Sequence, residues 1–363
     1  MTSLKLRPIH EQVIVITGAT SGIGLATARL AASRGARVVL AARNEGALQE
    51  ITRDLNARYG DGCAVYCVAD VAREEDHRRI VQTAIDAFGH IDTYINNAGV
   101  SIYGRMQEVP IEDQRRLFET NFWGVVHGSR VAVEHLGVRG GSIINVGSTL
   151  SDRSIPLQGM YSASKHAVKG FTEALRMEIE EQGLPISVTL IKPGAIDTPY
   201  RQHAANYMPT EPLNPPPVYA PRVAARAILH CAEHPRRDLF VGGGGKAISS
   251  FGSLMPRVVD WVMEKVMFGL QQSDQPARGR GEHALYQPGE DGNEQGGYEE
   301  FGHVRRHSLY TQAAMHRLMT AAAFVGAGLV TAAVFEAMRR PPTRRQRMAE
   351  GLRAWGQRIA DRL

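Results

Sequence analysis

The chain has 363 residues, 42 Lys and Arg against 37 Asp and Glu, and a formal net charge of +5 with an isoelectric point near 9.2. This mild basic excess comes with no recognised nucleic-acid module, so nucleic-acid binding is not expected. Cys63, Cys67 and Cys231 are too few for a disulfide framework, which fits a reducing compartment; no metal site is expected, because Cys63 and Cys67 lie in an apolar, strand-like run.

Residues 1–11 are polar and carry no apolar stretch of the kind a secretory leader needs. Apolar runs at 12–17 (QVIVIT), 37–41, 63–68, 93–96, 142–146, 186–191 and 238–241 read as strands. Between them, 25–34, 45–59, 74–88, 114–135, 161–182 and 222–233 read as helices. Continuous apolar strands separated by helices predict an α/β fold, a doubly wound and mostly parallel sheet with helices on both faces. No internal repeat is seen.

The first strand runs into Gly18-Ala19-Thr20-Ser21-Gly22-Ile23-Gly24 at the start of the first helix. Glycines here allow a tight turn, let the backbone approach a pyrophosphate and aim N–H groups at an anion where the helix dipole favours it. The spacing G-x-x-x-G-x-G departs from the general dinucleotide fingerprint, so position after the first strand carries the assignment. The second strand ends in Ala41-Ala42-Arg43-Asn44, with no acid to bind a ribose 2′-hydroxyl. Arg43 therefore favours NADP(H) over NAD(H), the competing reading being a surface arginine at a loop. Further on, Tyr161 and Lys165 stand four apart on a helix and share a face. An ammonium beside a phenol favours the phenolate, so the pair is a plausible acid/base unit near neutral pH.

These residues belong to a wider set. TGATSGIG at 17–24, Asp70-Val71, Asn96-Asn97-Ala98-Gly99, Asn121, Ser148, Tyr161-x-x-x-Lys165 and Pro193-Gly194 with Thr198 occur in one order along the chain. In that order and spacing the chain resembles the short-chain dehydrogenase/reductase family, over roughly residues 12–245. The resemblance implies a Rossmann-type domain over 1–250 and an oxidoreductase that interconverts a small-molecule carbonyl and an alcohol. It implies Tyr161 as proton donor and acceptor, with Lys165 lowering its pKa and binding the nicotinamide ribose. Ser148 would hydrogen-bond the substrate oxygen, and Asn121 would hold a water linking Lys165 to solvent. The turn from Gly18 through Thr20, Ser21, Gly22, Ile23 and Gly24, with Arg43, would bind the nucleotide. Asp70 and Val71 would meet the adenine, Asn97, Ala98 and Gly99 its ribose side, and Pro193, Gly194, Ile196 and Thr198 the nicotinamide. A homo-oligomer and a cytoplasmic catalytic domain are expected.

The substrate side is drawn more coarsely. Residues 200–221, rich in proline with Tyr207, Met208 and Tyr219, read as a substrate lid. Ser101, Ile102, Tyr103 and residues 154–160 are expected to line the same pocket, and their apolar content points to a lipophilic substrate. Beyond the family domain, 251–270 reads as an amphipathic helix packed on the core, with membrane-surface contact or an oligomer interface as the other readings. Residues 271–310, rich in Gly, Gln, Glu and Pro, read as a flexible polar linker. Within 311–363, residues 318–335 carry no charge over 18 positions, and an Arg-rich tail follows. The readings for 318–335 are membrane contact, as a span or a shallow anchor, or else a soluble helix buried against a partner. The alternative to an enzyme is a non-catalytic binding or scaffold protein with the same fold, tethered to a membrane.

Overall fold

The computed structural model describes residues 4–279, 283–316, 320–321, 331, 335 and 344–361. Contacts divide the chain into Met1–Met315 and His316–Leu363. In the first unit seven strands form one parallel sheet: β1 Val13–Thr17, β2 Arg37–Ala42, β3 Ala64–Val68, β4 Thr93–Asn96, β5 Gly141–Val146, β6 Ile186–Pro193 and β7 Asp238–Val241. Their order across the sheet is β7-β6-β5-β4-β1-β2-β3. The chain winds outward from β1 through β2 to β3, then returns to β4 on the other side of β1. That reversal opens a crevice at the carboxyl ends of β1 and β4, the place where doubly wound sheets bind ligands.

The strands are mostly apolar on both sides because both faces of the sheet are covered. Ile14, Ile16, Val38, Leu40 and Ile144 pack beneath α1 (Gly22–Ser33), α2 (Glu45–Tyr59) and α7 (Pro221–Glu233). The alternate residues Val13, Val15, Val39, Ala41 and Ile143 face α3 (Glu74–Phe88), α5 (Gly124–Arg139) and α6 (Gly159–Glu181). The helix expected at 114–135 is α4 (Ile111–Phe118) continuing into α5 through a wide π-helical turn at Glu119–Trp123.

The region after β7 departs from expectation. Helix α8 (Gly243–Leu254) is followed by α9 (Pro256–Val262), a second π-helical turn at Met263–Met267 and a last turn at Phe268–Leu270. Core packing was expected for 251–270, yet Phe251, Leu254, Val258 and Trp261 are exposed and Met263 alone of the apolar set is buried. From this segment Met267 reaches the wall of the cavity that Tyr161 lines.

The polar linker expected at 271–310 is instead attached to the domain. Gln272–Pro276 pairs antiparallel with Thr210–Pro212, Val304–Arg305 pairs with Val218–Tyr219, and Leu285 and Tyr298 are buried. Main-chain groups carry most of the attachment, which a composition poor in apolar residues cannot reveal. The compact unit therefore runs through α10 (Leu309–Met315) instead of breaking at residue 250.

The second unit contains α11 (Arg344–Ala360), in which Met348, Leu352, Trp355 and Ile359 recur at helical spacing. The apolar segment 318–335 lies outside the described residues apart from residues 320, 321, 331 and 335. Among the described residues no helix is long and apolar enough to cross a membrane.

Candidate active site

The glycine turn is built for close approach. Gly18 (φ 63°) and Gly22 (φ 54°) adopt left-handed backbone, which suits residues without a Cβ. A Cβ on Gly18 would come within 2.8 Å of the Ala98 Cα, and one on Gly24 within 2.0 Å of the Gly18 carbonyl oxygen. Opposite, the Asn97 side chain donates to the Thr17 and Gly18 carbonyls at 2.9 and 3.2 Å. The Asn97 and Ala98 amides donate to Thr17 Oγ1 at 3.0 and 3.1 Å. The β1 turn and the β4 turn are thus one hydrogen-bonded piece that leaves space for a ligand backbone at the start of α1. These residues fit the phosphates of a dinucleotide.

Gly18, Thr20, Ser21, Arg43, Asp70, Val71, Ala98 and Gly99 wall one cavity of about 100 Å³ at that end. Arg116 donates to Asp70 Oδ2 at 2.6 Å. Burial raises the Asp70 carboxyl, but Arg116, the Ala72 amide and Arg43 outweigh it and hold the group below its usual value. The Asp70-Val71 turn is steadied from beneath by His77, whose Nε2 lies 2.9 Å from the Val71 carbonyl. Its Nδ1 is 2.7 Å from the Tyr94 hydroxyl. A carbonyl can only accept, so Nε2 carries the proton and Nδ1 accepts from Tyr94.

The adjoining cavity, about 240 Å³, is walled by Ile23, Asn97, Gly99, Ser148, Tyr161, Lys165, Pro193, Gly194, Ile196 and Thr198 among others. Tyr161 and Lys165 come from the first turns of α6, with the Lys165 Nζ 5.6 Å from the Tyr161 ring centroid. Lys165 donates to the Val146 carbonyl at 2.9 Å, and burial pushes its pKa down to about 8. Burial pushes the Tyr161 phenol up, while hydrogen bonding with Tyr200 and Ser148 pulls it partway back. The phenol therefore stands above its ordinary value, because desolvation of the phenolate is the largest effect on it. Ser148 stands at the end of β5, its Oγ accepting from the Leu150 amide at 3.0 Å as the cap of the short helix Thr149–Ser151.

Gly22, Gly24 and Asn121 are in neither wall. Gly22 lies against Thr198 and Gly24 against the Gly18 carbonyl, while Asn121 lies in the wide turn between α4 and α5, a place where such turns often serve function. Asn121 exchanges hydrogen bonds with the Val100 amide (2.8 Å) and carbonyl (2.9 Å) and donates to Ser164 Oγ at 3.2 Å. A Cβ on Gly99 would lie 3.3 Å from Asn121 Oδ1 and 3.7 Å from Lys165 Nζ, so only a glycine separates the two groups.

On the substrate side, Tyr103, Ile155, Gln158, Pro215, Pro216, Pro217 and Tyr219 line the larger cavity, joined by Leu150, Ile248 and Met267. The wall is mostly apolar. Sequence reasoning missed four participants. Tyr200 lies two residues beyond Thr198, where it read only as the first residue of a lid. Arg116 holds Asp70, and no spacing in the sequence connects them. Ile248 and Met267 lie beyond the region of family resemblance.

The short chain dehydrogenase family model matches residues 12–208. An oxidoreductase of Bacillus subtilis named YxnA, itself uncharacterized, is 48% identical over 332 residues, 91% of this chain and 92% of its own. The chain belongs to the short-chain dehydrogenase/reductase family. Because the Bacillus match is longer than the family region, this oxidoreductase shares part of its C-terminal segment with that relative. A protein of Sesamum indicum named 11-beta-hydroxysteroid dehydrogenase A is 34% identical over 70% of this chain and 75% of its own. Among solved structures, an alcohol dehydrogenase from Thermococcus sibiricus complexed with 5-hydroxy-NADP superposes with a TM-score of 0.56. It is 25% identical and covers 63% of this chain and 95% of its own.

Proposed function

We propose that this short-chain dehydrogenase/reductase uses NADP(H) to interconvert a lipophilic carbonyl compound and its alcohol. The observation that carries this reading is the convergence of Ser148, Tyr161 and Lys165 on one cavity beside the Pro193–Thr198 stretch, with the glycine turn at its other end. When bound, the dinucleotide supplies or takes up the hydride. Tyr161 gives its phenolic proton to the carbonyl oxygen during reduction and takes it back during oxidation. Ser148 hydrogen-bonds the same oxygen and stabilises the charge that develops there. The Lys165 ammonium favours the phenolate that Tyr161 leaves behind, and Asn121 fixes the turn beside it. At the far end Arg43 would pair with a 2′-phosphate, and Asp70 with Val71 would receive the adenine. The apolar wall from Tyr103 to Met267 supports a lipophilic substrate, as does the resemblance to a hydroxysteroid dehydrogenase.

The test is NADPH consumption by the full chain over a panel of lipophilic aldehydes and ketones. Turnover should fall by about 10²- to 10⁴-fold in Tyr161→Phe, the range for losing a general acid. Activity untouched by that substitution, or failure to bind NADPH, would sink the reading.

A further inference from the structure

Residues 283–294, outside the 12–208 family region, run across the open side of the cavity where the glycine turn lies. The strand of contacts starts at Ala284, whose amide donates to the His203 carbonyl at 2.8 Å. The Arg43 guanidinium donates to the Ala284, Leu285 and Gln287 carbonyls at 2.5, 3.3 and 3.2 Å. Asn44 reaches the Gly289 carbonyl at 3.4 Å. The Gly292 amide then donates to the Thr20 carbonyl at 2.8 Å, and the Gly22 amide to the Asn293 carbonyl at 2.9 Å. Arg29 closes the run with an ion pair to Glu294 at 2.9 Å.

On the reading of a dinucleotide site given above, we propose that residues 283–294 are part of that site: a strap that closes over the adenosine end of the cofactor and lifts to admit or release it. Its place in the site is direct. Ala284, Pro288, Gly289 and Asp291 share the walls of the 100 Å³ cavity with Gly18, Thr20, Arg43 and Asp70. Its grip falls on the peptide groups of Thr20 and Gly22, the turn that approaches the phosphates. A rigid dinucleotide cannot pass between the strap and that turn while those bonds hold.

The attachments are graded in a way that suits lifting. At one end Leu285 is fully buried against Val100, Ile102 and Leu117. At the other, Asp197 accepts from the Gly296 and Tyr298 amides at 3.1 and 2.9 Å, and Tyr298 is buried. Between these anchors Tyr286, Gln287 and Pro288 are exposed, and two glycines, Gly289 and Gly292, supply backbone freedom. Strap carbonyls and a phosphate are not mutually exclusive partners for Arg43. A guanidinium has about five N–H donors, and the strap carbonyls take three bonds, so donors remain for an anion. A closed strap thus also holds the Arg43 side chain in place before a phosphate arrives, reducing the ordering cost of binding.

The test uses the full chain and NADPH, with Glu294→Gln and Tyr286→Phe combined. The first removes the ion pair to Arg29, and the second removes a hydroxyl that donates to Asp113 at 2.6 Å. Each partly exposed contact is worth a factor of about two to five, so NADPH dissociation measured by stopped-flow displacement should quicken by roughly tenfold. In the unmodified chain, hydrogen exchange of residues 284–294 should slow when NADPH binds. An unchanged dissociation rate overturns the strap, and so does faster dissociation with no NADPH-dependent exchange in 284–294. A chain that binds neither NADPH nor NADH overturns the oxidoreductase reading and the strap together, whereas tight binding with unaltered strap behaviour overturns the strap alone.

Discussion

The rings of Tyr161 and Tyr200 meet edge to face, their centroids 5.5 Å apart at an interplanar angle of 71°. The Tyr200 hydroxyl lies 2.7 Å from Ser101 Oγ and 3.0 Å from Gln158 Oε1, so the second tyrosine is held in place from two sides. Its hydrogen bond with Tyr161 pulls the Tyr161 pKa down against the effect of burial. Removing that hydroxyl in Tyr200→Phe should cost about tenfold in turnover, one lost hydrogen bond to a group that becomes charged. It should also move the alkaline rise in alcohol oxidation to higher pH, since Tyr161 must then ionise without that help. A pH–rate profile superimposable on that of the unmodified chain would show that Tyr200 only packs.

Lys165 gives a second pH signature. Burial lowers its pKa to about 8, so the ammonium is present below that pH and lost above it. Carbonyl reduction should decline as pH rises through about 8, in step with loss of the charge that favours the Tyr161 phenolate. The same burial affects stability with a definite sign. The folded pKa lies below the ordinary lysine value of 10.5, so the cost of burying the charge is fully present below about 8 and is relieved as pH rises toward 10.5. Lys165→Met should therefore abolish turnover yet stabilise the fold at pH 7, by roughly 1–3 kcal/mol after allowing for the lost bond to Val146. A lower melting temperature for this variant at pH 7 would contradict the argument.

His77 should make the fold sensitive to acid. Its imidazole is completely buried, and burial lowers its pKa from 6.5 to about 4. The unfolded chain therefore takes up this proton before the folded one does. Stability present above about pH 6.5 should be lost progressively down to about 4, by roughly 3 kcal/mol for this group alone. Urea unfolding at a series of pH values should show this loss, and His77→Gln should flatten it across that window. An equal slope in both proteins would assign the acid sensitivity elsewhere.

Arg43→Ala separates the two nicotinamide cofactors. If its guanidinium faces a 2′-phosphate, NADPH affinity should fall by about tenfold or more, the scale of a charge-assisted hydrogen bond. NADH affinity should fall less, through loosening of residues 284–287 alone. Equal losses measured by titration calorimetry would leave Arg43 with the strap as its only task.

Much of the catalytic geometry could be read in the chain because it is local or tied to a strand end. Tyr161 and Lys165 share a face through helix geometry alone. Gly18, Gly22 and Gly24 declare a turn that no larger residue could make. The apolar runs at β1, β2, β5 and β6 specified a doubly covered sheet because strands buried on both faces cannot tolerate alternation. What the tertiary structure decided is different in kind. The direction of the Tyr161 shift depends on how completely Tyr200, Ser148 and the surrounding wall exclude water, which no spacing encodes. The link from Arg116 to Asp70 joins residues 46 positions apart. The fate of 271–310 rests on peptide N–H and C=O groups that every sequence carries, so its polar composition gave no sign that Gly292 and Asn293 would bind the turn at Thr20 and Gly22.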